Sequence, residues 1–91
     1  MNEKELIIAV KNGNEAAFGE LYNRYWFRVF HFASLYIKDK EEVKEIVQDV
    51  FIRLWESRAF IRENENFKGY LFIITRNHIF NKSRSKYFNY D

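Results

Sequence analysis

The 91-residue chain has no cysteine, no proline and only three glycines. Without cysteine it can build no disulfide framework, no thiolate metal site and no thiol nucleophile. That absence suits a reducing cytoplasm. Without proline, and nearly without glycine, the tight turns of an all-β fold lack their usual residues. No apolar run approaches the roughly 18 residues that a membrane-spanning helix needs. The charged start, Met1-Asn2-Glu3-Lys4-Glu5, does not fit a signal peptide. The length predicts one small domain, 1–91, with little room for a catalytic domain and its own substrate pocket.

Aromatic residues are abundant: 10 Phe, 6 Tyr and 2 Trp, or 20% of the chain. With 47% apolar and 31% charged residues the composition is that of a folded protein. The net charge of +2 conceals an asymmetry, because residues 1–66 hold 10 Lys/Arg against 12 Asp/Glu. Residues 67–91 hold Lys68, Arg76, Lys82, Arg84 and Lys86 against Asp91 alone, with seven aromatics among them. Cations neutralise phosphates and rings stack on bases, so this basic, ring-rich end is a candidate nucleic-acid surface. A helix with a solvated basic face and inward rings would have the same composition.

Apolar spacing predicts helices throughout, hence an all-α bundle of about four helices. Leu6, Ile7 and Val10 mark a short first helix, stopped at Asn12-Gly13. Asn14 then caps a second, in which Phe18, Leu21, Tyr22, Tyr25, Val29, Phe32, Ala33 and Tyr36 recur at three- and four-residue steps to about Ile37. Asp39, with Glu42 three residues on, opens a third helix with Val43, Ile46, Val47, Val50, Phe51 and Leu54 on one face, ending near Glu56 or Ser57. Residues 58–66 have no period and are expected to be a loop. Asn66 caps a last helix from Phe67 to about Lys86, with Tyr70, Leu71, Ile74 and His78 or Ile79 inward. The two long helices before the loop are expected to be antiparallel.

The third helix carries a second stripe. Glu45, Gln48, Asp49, Ile52 and Glu56 share one face, turned away from the core positions. An acidic stripe centred on an apolar residue fits a docking surface for a basic partner helix; a charged face with one stray Ile is the plain alternative. Nothing points to catalysis. There is no phosphate-cradling glycine loop and no zinc-binding histidine motif. His31 and His78 are far apart, and Ser34, Ser57, Ser83 and Ser85 have no base at a recognisable spacing. No metal or other cofactor is expected.

Three segments match a known family. Glu45-Ile-Val-Gln-Asp-Val-Phe-Ile-Arg-Leu-Trp55 resembles a helix of RNA polymerase sigma factors, specifically the extracytoplasmic-function group of the sigma-70 family. Ala17-Phe-Gly-Glu-Leu-Tyr-Asn-Arg-Tyr25 and Phe67-Lys-Gly-Tyr-Leu-Phe-Ile-Ile-Thr-Arg-Asn77 resemble the family helices on either side of it. Order and spacing agree across about residues 5–86, the conserved second region. That resemblance implies a domain that binds core RNA polymerase and recognises and melts the promoter −10 element. It places Glu45, Gln48, Asp49, Ile52 and Glu56 against the clamp helices of the polymerase β′ subunit. It places Ser57, Ile61, Ile74 and Asn77 around an unstacked base of the non-template strand. Lys68, Arg76, Lys82, Arg84 and Lys86 would hold phosphates, which adds affinity and salt dependence without sequence choice. An anti-sigma factor is a further implied partner.

The chain departs from the family pattern in three places. Tyr70 stands where Trp is frequent, Gly69 replaces a better helix former, and Phe27 stands where many relatives have Pro. A complete factor of this type has a second helical domain that reads the −35 element; such a domain is not in these 91 residues, so an isolated first domain is the simplest expectation. The alternative functional reading is a helical protein-protein interaction module that does not bind DNA.

Overall fold

An Asn or Asp side chain opens each of the four helices in the computed structural model, which describes residues 1–63 and 65–88, with 83–88 as backbone alone. They are α1 (Glu3–Lys11), α2 (Glu15–Ser34), α3 (Lys40–Glu56) and α4 (Phe67–Phe88). The Asn2 carboxamide oxygen accepts from the Glu5 amide at 2.8 Å, and that of Asn14 from the Ala17 amide at 3.0 Å. Asp39 accepts from the Glu41 amide at 2.9 Å and Asn66 from the Gly69 amide at 3.1 Å. Each cap satisfies an amide that the helix itself cannot, worth about 1 kcal/mol. The Asp39–Glu42 start thus caps through Asp39.

Gly13 closes α1 at φ 87°, where a side chain would be strained. The Gly13 amide donates to Val10 O at 2.9 Å and the Asn14 amide to Ala9 O at 3.0 Å. This paired closure ends one helix and turns the chain directly into the next.

Phe18 meets Trp55 at 5.0 Å between ring centroids, and Tyr22 meets Phe51 at 4.8 Å, so α2 and α3 run antiparallel. α4 lies against both. Its partners along α2, Tyr25–Phe67 and Phe32–Phe72, advance together, so those helices are parallel. Asp49–His78 and Glu45–Lys82 advance oppositely, so α4 is antiparallel to α3. All six expected core positions of α3 are buried. So are Leu6, Ile7, Val10, Leu21, Tyr25, Val29, Ala33, Leu71 and Ile79. Thr75, unmarked by any apolar pattern, is also fully buried; its hydroxyl donates to Leu71 O at 2.8 Å, which removes the cost of burying it.

Three expectations need adjustment. α2 ends at Ser34 rather than near Ile37, so Tyr36 leaves the helical register and is 47% exposed. Residues 58–66 are not wholly irregular, since Arg58–Phe60 form a 3₁₀ turn. In α4, Tyr70, Ile74 and His78 are only half-buried, leaving Leu71, Thr75 and Ile79 as its core line.

Candidate functional site

The acidic stripe is on the surface. Ile52 is 55% exposed, Glu45, Gln48 and Glu56 are exposed, and Asp49 is half-buried. The face is not free of internal partners. Asp49 Oδ2 lies 3.2 Å from His78 Nε2, and Glu45 Oε2 lies 3.7 Å from Lys82 Nζ, both on α4. His78 is therefore a packing residue between the helices. Beside Gln48 and Ile52 an apolar groove of about 470 Å³ runs between α3 and the start of α2, lined also by Phe18, Tyr22, Phe51 and Trp55. The stripe thus continues into a concave hydrophobic surface, the form that a protein-docking site takes. Sequence reasoning assigned Phe18 and Phe51 to the core; Phe51 is buried there, while Phe18 is half-buried, which its helical period could not show.

Among the four residues expected around an extruded base, positions differ. Asn77 is exposed on α4 and Ile74 is half-buried against the core. Ser57 ends α3, and its hydroxyl donates to Arg53 O at 2.7 Å. Ile61 is 1% exposed and belongs to the core. It lines the base of a small cavity of about 80 Å³ formed with Phe60, Arg62, Glu65, Asn66, Phe67 and Tyr70. Of the four, only Ile61 touches this cavity, and it does so as a floor rather than as an open wall. Ser57, Ile74 and Asn77 lie outside it. The residues missed by sequence reasoning are Phe60, Arg62, Glu65, Asn66 and Tyr70. An aperiodic stretch carries no signal for which of its side chains face a hollow.

The cavity is bordered by one exposed ring and several polar groups. Phe60 is 78% exposed. Asn66 already spends its carboxamide oxygen on the Gly69 amide, which leaves its amino group free of that cap. A Cβ on Gly69 would lie 3.0 Å from Asn66 Nδ2, so the absence of a side chain at 69 keeps the cap and the cavity rim in place. Arg62 pairs with Glu65 at 3.1 Å across the loop. Glu63 is bonded by Lys11 Nζ at 2.8 Å, and that bond, with its own backbone amide, holds the Glu63 carboxyl below the usual carboxylate range.

The expected phosphate-binding cations divide into two groups. Lys68 and Arg76 are exposed, and Lys82 is half-buried beside Glu45. Lys68 Nζ lies 5.8 Å from the Phe72 ring centroid, at the edge of a second apolar groove of about 290 Å³ between α2 and α4. The side chains of Arg84 and Lys86 lie outside the described residues. No group of three or more His, Cys, Asp or Glu that could hold a metal is found among the described residues, and none of their helices is long and apolar enough to cross a membrane.

A small all-α binding domain, with carboxylates along one helix and cations along the next, is the class that this geometry defines. The family model of sigma-70 region 2 matches residues 21–87, and the chain belongs to that family. An NMR structure of an engineered region 2 of sigmaE, in complex with GTAAAA, has the same fold: its TM-score is 0.90 at 24% identity, over 100% of this chain and 95% of that one. No curated protein matches the chain in sequence. The function is accordingly DNA-dependent transcription initiation, in which a region 2 domain recognises the promoter −10 element. Core RNA polymerase and promoter DNA are its implied partners.

Proposed function

We propose that this domain works as region 2 of an extracytoplasmic-function sigma factor in the cytoplasm, docking on the β′ clamp helices and capturing one unstacked base of the non-template −10 strand. It carries out no chemistry; RNA synthesis belongs to the polymerase. The observation that carries this reading is the segregation of surfaces. Exposed Ile52 sits among Gln48, Asp49, Glu45 and Glu56 on α3. The loop cavity, Asn77, Lys68 and Arg76 sit on or beside α4.

Docking joins the stripe to a basic helix by complementary charge around an apolar centre. The released base would then enter between Phe60 and Tyr70, with Asn66 and Arg62 offering hydrogen bonds to its edge, while Asn77, exposed on α4 outside the cavity, would meet an adjoining part of the strand. Unstacking costs a few kcal/mol, which ring stacking and those bonds repay. At about 80 Å³ the cavity is smaller than a whole base, so a base would enter it in part, against the exposed Phe60 ring. Lys68, Arg76 and Lys82, with Arg84 and Lys86, supply sequence-independent attraction to phosphates. This is the basis proposed for melting: the open strand is bound and the closed duplex is not. An anti-sigma factor would act by covering the same two surfaces.

Two substitutions test the reading. Asp49→Ala is expected to weaken binding to core polymerase while circular dichroism stays unchanged; retained affinity removes the docking role. Asn77→Ala is expected to weaken binding to −10 single strands more than to unrelated strands, and equal losses refute base reading by Asn77. The α2–α3 groove of about 470 Å³ favours a second reading, a protein-interaction module without DNA binding. Clamp-helix binding with no single-strand binding at low salt would establish that one instead.

A further inference from the structure

The loop that forms the cavity is anchored in the core at both ends. Ile61 and Phe67 are 1% and 2% exposed, so the chain enters and leaves through the core. Between them, the Arg62–Glu65 ion pair and the 3.3 Å bond from the Glu65 amide to Arg62 O are local. They join parts of the loop to one another. Asn66 ties the loop's end to the first turn of α4.

The contact from elsewhere is Lys11 Nζ to Glu63 Oε2 at 2.8 Å, 52 residues apart in sequence. Among the described residues it is the side-chain hydrogen bond that reaches residues 62–65 from another element. Lys11 is the last residue of α1, whose Leu6, Ile7 and Val10 are fixed in the core at 0%, 1% and 0% exposure. The ammonium is therefore presented from a rigid base. The two side chains are partly covered, at 27% and 31% exposure.

We infer that Lys11 is a positioning residue for base recognition, holding Glu63 and so setting the shape of the cavity lined by its neighbours Arg62, Glu65 and Asn66. α1 thereby takes part in reading DNA that it does not touch. The inference rests on the reading of the loop cavity as the base-capturing site.

The test uses the 91-residue chain and a panel of single-stranded DNA hexamers of systematically varied sequence, GTAAAA among them. Discrimination is the ratio of the tightest to the median affinity. Lys11→Met and Glu63→Gln are each expected to lower discrimination by about two- to fivefold, the range of a single partly exposed ion pair. Their effects on median affinity should be opposite, because one removes a positive charge and the other a negative one. A tether predicts losses of discrimination of the same sign; a mere charge effect does not. Lys11→Glu combined with Glu63→Lys should restore discrimination. Unchanged discrimination in both single variants, changes that follow net charge, or a swap that restores nothing would each overturn the inference. If the unsubstituted chain binds no hexamer, the base-capture reading falls and takes this inference with it.

Discussion

At the scale of single residues, Tyr25 shows how one side chain serves two purposes. Its ring is 9% exposed and packs edge-on to Phe67 at 5.2 Å, while its hydroxyl donates to the Glu3 carboxylate of α1. Burial first, and then Glu3, push the phenol up to about 12 from its usual 10.0. A raised acid is stabilised in its protonated form, so the contribution is complete below pH 10 and is lost as pH rises towards 12. Tyr25→Phe keeps the ring contact and removes the bond. We expect a loss of about 1 kcal/mol in urea denaturation at neutral pH and a shallower fall in stability through the alkaline range. The opposite pattern, an unchanged neutral stability, would show that the Glu3 contact adds nothing. Glu63 has the reverse sign: its lowered carboxyl supports the loop at neutral pH and releases it as acid protonates it.

At the scale of elements, caps and turns decide where helices begin, and these were legible in the residues. Asn14, Asp39 and Asn66 were identified as starts from side-chain chemistry alone, and each makes its cap. Helix ends were less legible. Apolar spacing carried α2 past Ser34, because Tyr36 and Ile37 continue the period although the backbone has already turned. Gly13 is the exception, a stop written in the sequence. Gly13→Ala is expected to cost about 1–2 kcal/mol, since the left-handed conformation at φ 87° brings a Cβ against backbone atoms. Open space within 4 Å of the added Cβ means that the loss would come from that conformation and not from crowding. A thermal melt of the variant measures it, and a neutral result would mean that the turn rearranges freely.

At the scale of the whole molecule, the surfaces divide by charge, and salt reports on the division. If Arg84 and Lys86 hold phosphates, Arg84→Ala with Lys86→Ala should reduce the slope of log affinity against log salt by about 1.4 on single-stranded DNA, at about 0.7 for each lost contact. An unchanged slope would exclude both. The sequence by itself determined the helical class, the core faces of α1 to α3, the acidic stripe and the three segments that carry the family resemblance. All of these depend on neighbours three, four and seven residues apart, so they are written in local spacing. Only the tertiary structure decided that Ile61 is a floor of the loop cavity, that Phe60, Asn66 and Tyr70 surround it, and that Lys11 reaches Glu63. It likewise joined Asp49 to His78 and Glu45 to Lys82. Those facts depend on how helices distant in sequence are set against one another, and no periodicity within a single segment encodes that.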